Sequence, residues 1–103
     1  MIIRIWKAKV VPNSIGKMDK LLGEFAVKVL KKQKGCLHVF TGKNLTIDPP
    51  EVVSITIWAD IKSVRAFYGE KWKEPHNTSE EKPHIINAKL EQSTLLGYHC
   101  SGQ

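Results

Sequence analysis

Hydrophobic positions recur along this chain with two periods, one typical of strands and one typical of helices. Residues 2–11 alternate as a strand does, and residues 52–58 form a β-branched run that ends at Trp58, as the interior of a sheet prefers. Between them a stripe with helical spacing predicts an amphipathic helix, capped by Asn13 or Ser14 and ended near Lys34 by Gly35. The stripe consists of Ile15, Met18, Leu21, Leu22, Phe25, Ala26 and Val29.

The remaining pattern completes the order β-α-β-β-α-β. Residues 36–43 predict a second strand, and residues 44–51 a turn-rich connection. Asp60 is a helix cap and Gly69 a helix stop, whereas residues 70–87 are polar and interrupted by Pro75 and Pro83. A last strand is predicted over residues 88–100. This is an α+β, ferredoxin-like arrangement, for which we expect an antiparallel sheet in the order 4-1-3-2 with both helices on one face.

The predicted sheet has apolar residues on both faces. Strand three offers Val53, Ile55 and Ile57 to one side, and Val52 and Trp58 to the other. An antiparallel sheet covered by helices on one face usually exposes its other face to water, and a large apolar second face marks an interface. We therefore expect a homodimer in which two sheets pack together, as in a dimeric α+β barrel.

Length and charge limit the class of protein. The 103 residues predict one domain, residues 1–103. The net charge is +6, but four of the lysines crowd the end of the first helix, and no basic strand carries interleaved aromatics. We expect no nucleic-acid partner. No apolar run reaches the roughly 18 residues of a membrane span, and the start lacks a signal-peptide pattern, so we expect a cytoplasmic protein without membrane contact.

Cysteine and histidine spacing predicts neither a disulfide nor a metal site. In the expected strand order, Cys36 and Cys100 lie on strands at opposite edges of the sheet, too far apart for a bridge. No cluster of His, Cys and carboxylate residues has ligand spacing. We expect unpaired thiols and no metal.

The central block of the sequence carries a family resemblance. A strand that ends in Trp58 and a helix that ends Phe67-Tyr68-Gly69-Glu70 resemble the signature of the antibiotic biosynthesis monooxygenase family, of the dimeric α+β barrel type. The opening residues 1–7 and Gly35 also fit. The chain departs from the family at residues 77–81, where many relatives have an aromatic pair and a proline. His99 is shifted by one residue from a terminal His of many relatives, which turns it to the opposite face of a strand.

The resemblance implies an oxygenase that uses neither metal nor flavin, with no cofactor, and a small aromatic or polyketide-like ligand. Two other functions stay open. A sister group that degrades haem has an Asn, a Trp and a His, near which this chain has Trp6 or Lys7, Phe67 and His76. The third possibility is a non-catalytic dimeric ligand-binding protein, because one fold carries many activities.

An oxidation of this kind needs an apolar pocket, a base and a counter-charge for the substrate anion. We expect His76 in the long connection to be the base, with His38 on strand two as the second candidate, since imidazole titrates near neutral pH. An exposed loop histidine and a core imidazole are the alternatives. The expected substrate-binding residues are Arg4, Trp6, Trp58, Phe67, Tyr68 and Trp72. The alternative for Trp58 and Phe67 is a plain core role, and the alternative for Arg4 is a structural ion pair.

Overall fold

The computed structural model describes residues 1–97. Its four strands are β1 (Ile2–Val10), β2 (Cys36–Asn44), β3 (Glu51–Trp58) and β4 (Ile85–Thr94), and its two α-helices are α1 (Ile15–Lys28) and α2 (Ile61–Tyr68). The strands are antiparallel in the order β2-β3-β1-β4. The predicted ferredoxin-like fold, its element order and its strand order are therefore confirmed.

One face of the sheet packs against both helices. Every second residue of β1, from Ile2 to Val10, is buried on this face, as the two-residue period of a strand requires. Met18 and Leu22 of α1 pack on the Val10 end of β1, while Val64 of α2 packs on the Ile2 end. The two helices thus cover the two ends of the same face, and the space between them is where a cavity can form.

The opposite face of the sheet carries apolar side chains but no helix. We call it the open face. Ile5 of β1 pairs with Ile55 of β3, which pairs in turn with Phe40 of β2. The Phe40 side chain is 57% exposed, although Ile5 and Ile55 are partly covered by their neighbours. An apolar strip therefore crosses three adjacent strands, and no part of residues 1–97 packs over it as the helices do on the other face.

Helix ends were predicted with mixed success. Asp60 caps α2 by accepting the backbone N–H of Ser63 at 2.8 Å, and Gly69 ends it with a φ of 74°, both as predicted. The N–H of Ser63 also lowers the pKa of the Asp60 carboxyl. However, α1 ends at Lys28 rather than near Lys34, because the chain tightens into a 3₁₀ turn over Leu30–Lys32 that buries Leu30.

The start of α1 and the last strand also differ from the prediction. The Ser14 hydroxyl does not cap α1 but lies 2.9 Å from Nδ1 of His84. This hydrogen bond links the long connection to the start of α1. Strand β4 begins at Ile85 and ends at Thr94 rather than covering residues 88–100. His99 and Cys100 lie outside the described residues.

Gly35 precedes β2 at a position that only glycine fits. Its φ is +86°, and a Cβ there would overlap the Ser63 side chain of α2. We expect Gly35→Ala to lower the free energy of unfolding by about 2 kcal/mol or more, because backbone strain and overlap add. Chemical unfolding measures this change. Gly23→Ala is the control, because a Cβ at this helical position meets open space. We expect it to raise the free energy of unfolding by about 0.5–1 kcal/mol. If the two variants were equally stable, position 35 would not require glycine.

Candidate functional site

A small cavity lies between the sheet and its helices. Its volume is about 40 Å³, whereas a cavity that holds benzene measures about 150 Å³. The lining comes from the sheet (Arg4, Trp6, Ser54, Thr56, Leu90), from the helices and the turn after α1 (Leu22, Phe25, Leu30, Tyr68) and from the connection before β4 (His76, Glu81). An aromatic ring therefore fits only if part of the wall moves.

Arg4 is the charged centre of this cavity. Its side chain is 3% exposed, and its Nη1 donates to the Trp72 carbonyl at 2.5 Å and to Oε1 of Gln92 at 2.6 Å. Within residues 1–97, no carboxylate oxygen lies within 4.0 Å of its guanidinium. Burial lowers the pKa of Arg4, yet a guanidinium stays protonated in proteins. The cavity thus holds a buried positive charge that only neutral groups contact.

Tyr68 lies against this charge. The Arg4 guanidinium carbon is 3.9 Å from the centre of the Tyr68 ring, a close cation–π contact. Burial raises the pKa of the Tyr68 phenol, although the charge of Arg4 acts in the opposite direction. Tyr68 is therefore neutral at physiological pH and serves as a hydrogen-bonding group, not as a base.

The connection between α2 and β4 covers the cavity and is fixed at several points. Trp6 Nε1 donates to Oδ1 of Asn77 at 3.0 Å. Thr78 and Glu81 form a reciprocal cap, in which the Thr78 N–H donates to the Glu81 carboxylate at 2.8 Å and the Glu81 N–H to the Thr78 hydroxyl at 3.3 Å, the pattern of a capping box. Glu81 is 4% exposed. The cap therefore holds a carboxylate in the cavity wall.

His76 closes the cavity from the outside. Its ring stacks at 6.3 Å from that of Phe25 and meets the Tyr68 ring edge-on at 5.6 Å. A second hollow of about 410 Å³ lies beyond it, and His76 and Tyr68 belong to both walls. The outer hollow also carries Lys71 and Lys82. A rotation of the exposed His76 ring would join the two spaces and make room for an aromatic ligand.

The structure brings together four of the eight residues expected at the site. Arg4, Trp6, Tyr68 and His76 line the cavity, so Trp6 faces the helix side of the sheet. His38 does not join them, because it stacks with Phe40 on the open face. It lies across the sheet from the cavity and is out of reach of a ligand there.

The other three expected residues belong to the hydrophobic core. Trp58 is fully buried, donates its indole N–H to the Thr56 hydroxyl at 3.0 Å and packs with Phe67 and Trp72 around Val64. None of Trp58, Phe67 and Trp72 lines the cavity. Trp72 contributes indirectly, since its carbonyl accepts from Arg4.

Sequence reasoning missed the polar partners of the site. Glu81 could have been found from its T-x-x-E spacing with Thr78, which signals a cap and hence an ordered carboxylate. Gln92 gave no local signal. It meets Arg4 only because β4 pairs with β1 in the register that sets Arg4 opposite Gln92, while Thr56 lies opposite Arg4 on β3.

Residues 1–97 show neither a metal-binding cluster nor a membrane-spanning helix. Across residues 1–97, no three His, Cys, Asp or Glu side chains lie close enough to hold a metal ion. Within the same residues Cys36 has no disulfide partner, and burial raises the pKa of its thiol. None of the helices in this part of the chain has the length and hydropathy that a bilayer crossing needs.

Comparison with solved structures places the fold. A candidate antibiotic biosynthesis monooxygenase from Deinococcus radiodurans superposes with a TM-score of 0.77 at 13% identity, over 99% of this chain and 100% of that one. One from Chloroflexus aurantiacus gives 0.66 at 17%, over 98% of each. A Nitrosomonas europaea protein of unknown function gives 0.69 at 12%, over 99% and 95%.

These similarities define a class of fold. The chain has the ferredoxin-like α+β fold of the antibiotic biosynthesis monooxygenases over nearly its whole length. No protein-family model matches the sequence, and no curated protein matches it. At these identities the likeness establishes the fold alone.

Proposed function

We propose that the cavity binds the oxyanion of a small aromatic compound and that the protein oxidises this compound with dioxygen without a cofactor. The observation that carries the proposal is Arg4, a buried cation that no carboxylate contacts in the described part of the chain. Burying a charge without an ion-pair partner is costly, and a ligand oxyanion beside Arg4 would lower that cost. The aromatic and aliphatic walls of the cavity suit a flat ring system.

The chemistry follows from this binding. A hydroxylated aromatic ketone such as an anthrone becomes electron-rich when it loses a proton, and its anion reduces dioxygen directly. One oxygen atom replaces the two hydrogens of the ring CH2 as a carbonyl, and the other leaves as water, so the substrate supplies all the electrons. The protein's part is to hold the anion at Arg4, to accept a proton at His76 and to exclude water.

His76 can be tested as the acceptor of the ligand's hydroxyl proton. We expect His76→Gln to slow cofactor-free oxygen uptake with 1,8-dihydroxyanthrone by about 10²-fold at neutral pH, as loss of a general base typically does. Raising the pH should restore the rate, because the free substrate then ionises without help. An oxygen electrode measures both effects.

His84→Gln is the matched control, since His84 bonds to Ser14 away from the cavity. It should keep the uptake rate. If His76→Gln also kept it, His76 would not be the base. Binding of the anthrone without any oxygen uptake by the unmodified protein would favour a non-catalytic ligand-binding function, for which the same Arg4 site would serve.

A haem-degrading function has less support. Phe67, near the Trp position of the haem-degrading group, packs in the core, and Lys7 is exposed on the open face. Trp6 and His76 line the cavity, but Trp6 stands where that group has an Asn. Haem titration separates the alternatives: a sharp absorption band at one haem per chain would favour haem over a phenolic ligand.

A further inference from the structure

Besides Arg4, a second ionisable side chain is buried in the wall of the cavity. Glu81 is 4% exposed and lines the same small space as Arg4, which is 3% exposed. The two groups nevertheless form no ion pair, because no Arg4 nitrogen lies within 4.0 Å of a carboxylate oxygen among the described residues. A base and a cation thus face one cavity and leave space between them.

This arrangement matches the demands of carbon-acid deprotonation. Removing a proton from a CH2 group conjugated to a carbonyl needs a base at the carbon and a positive charge at the oxygen where the negative charge develops. A carboxylate and a guanidinium held apart supply both without neutralising each other. A direct salt bridge between them would block the same chemistry.

Glu81 is also held in a defined position. One carboxylate oxygen, Oε1, accepts the Thr78 N–H at 2.8 Å. Within residues 1–97, Oε2 has no hydrogen-bond partner, and it is not among atoms buried without one. Oε2 is therefore free to accept a proton while Oε1 keeps the side chain in place, and the rest of the capping box limits its movement.

We propose that Glu81 is the proton acceptor at the CH2 carbon of the bound aromatic ketone. The inference rests on the proposed function for the oxyanion at Arg4, and it adds an activity that needs no oxygen, the enolisation of the bound ketone. His76 at the mouth takes the hydroxyl proton and returns it to the product, and Glu81 inside takes the carbon protons.

The steps balance with one carboxylate. Glu81 removes a proton from CH2, and the resulting carbanion gives its electron pair to dioxygen in forming the C–O bond of a peroxide anion. Protonated Glu81 returns its proton to that peroxide. The carboxylate then removes the second carbon proton while the C–H electrons form the carbonyl and the O–O bond breaks. Hydroxide leaves, takes the proton from Glu81 and becomes water.

Hydrogen exchange without oxygen tests Glu81 by itself. In deuterium oxide under nitrogen, the unmodified protein should exchange the CH2 protons of 1,8-dihydroxyanthrone at least tenfold faster than buffer, as followed by proton NMR. Glu81→Gln should reduce the protein-dependent exchange by about 10²-fold or more. Glutamine also serves in a capping box, so this variant keeps the acceptor for Thr78 N–H and the fold, which its melting temperature will confirm.

Glu80→Gln is the control, because Glu80 is the exposed neighbour and does not line the cavity. It should exchange within twofold of the unmodified protein. The inference would be overturned if Glu81→Gln exchanged the CH2 protons as fast as the unmodified protein, or if the unmodified protein exchanged them no faster than buffer. Glu81-dependent exchange without oxygen uptake in air would instead overturn the oxygenase function and leave the enolisation standing.

Discussion

Replacing Arg4 with methionine is expected to abolish the preference of the site for anions while leaving the protein folded. Arg4 is the one permanent positive charge among the residues that line the cavity, and hydrogen bonds to a charged group contribute about 1.5–3 kcal/mol. Nitrophenolate should therefore bind about 10–100-fold more weakly to Arg4→Met. Nitroanisole, the neutral ether of the same shape, should bind both proteins alike. Isothermal titration measures the four affinities.

The same substitution should leave the stability of the protein almost unchanged. The substitution leaves the Trp72 carbonyl and the Gln92 amide without a donor, but it also removes a buried charge that no carboxylate contacts among residues 1–97. An apolar side chain avoids the desolvation cost of a buried charge that no ion pair offsets, and this gain opposes the loss of the two hydrogen bonds. We expect the free energy of unfolding to stay within about 1 kcal/mol of its original value.

Arg65→Met, on the exposed side of α2, is the control and should change neither the affinity nor the preference. A large loss of stability in Arg4→Met together with an unchanged anion preference would show that Arg4 is a structural residue. The anion site would then have to be sought elsewhere.

The fold could be predicted because its signals are local and repeated. Alternation in β1, the run that ends at Trp58 and the Asp60 and Gly69 signals of α2 each specify one element, and β-α-β-β-α-β order then permits few topologies. The errors lie at ends without such signals. Nothing in the local sequence distinguishes Lys28 from Lys34 as the end of a helix, because the apolar spacing continues through Leu30, which is buried in a different type of turn.

The site was harder to predict because it depends on strand register. Phe67 and Tyr68 are neighbours in sequence, and a helix turns them about 100° apart, so that Phe67 lies in the core and Tyr68 lines the cavity. A single aromatic stretch does not reveal which residue does which. Gln92 reaches Arg4 only through the pairing of β4 with β1. The polar row of Thr56, Arg4 and Gln92 across three strands exists only once the sheet is assembled.

Because the open face is apolar, we expect the protein to be a homodimer, and we expect a single charge on that face to dissociate it. At micromolar concentration the chain should have twice its 11.7 kDa mass in light scattering after gel filtration. Ile55 lies in the middle of the apolar strip, between Ile5 and Phe40. In Ile55→Lys the two copies would bury unpaired ammonium groups, at a cost of several kcal/mol for each, so dimerisation should weaken by 10³-fold or more.

The same substitution at Ile61, which is 39% exposed on α2, is the control and should leave the dimer intact, because both helices lie on the other side of the sheet. The comparison separates burial of charge at an interface from a general effect of added lysine. A stable interface needs roughly 800 Å² from each partner, which calls for most of a four-stranded face. If the unmodified chain ran as a monomer, its apolar strip would meet water directly, and pairing of the open faces would be wrong.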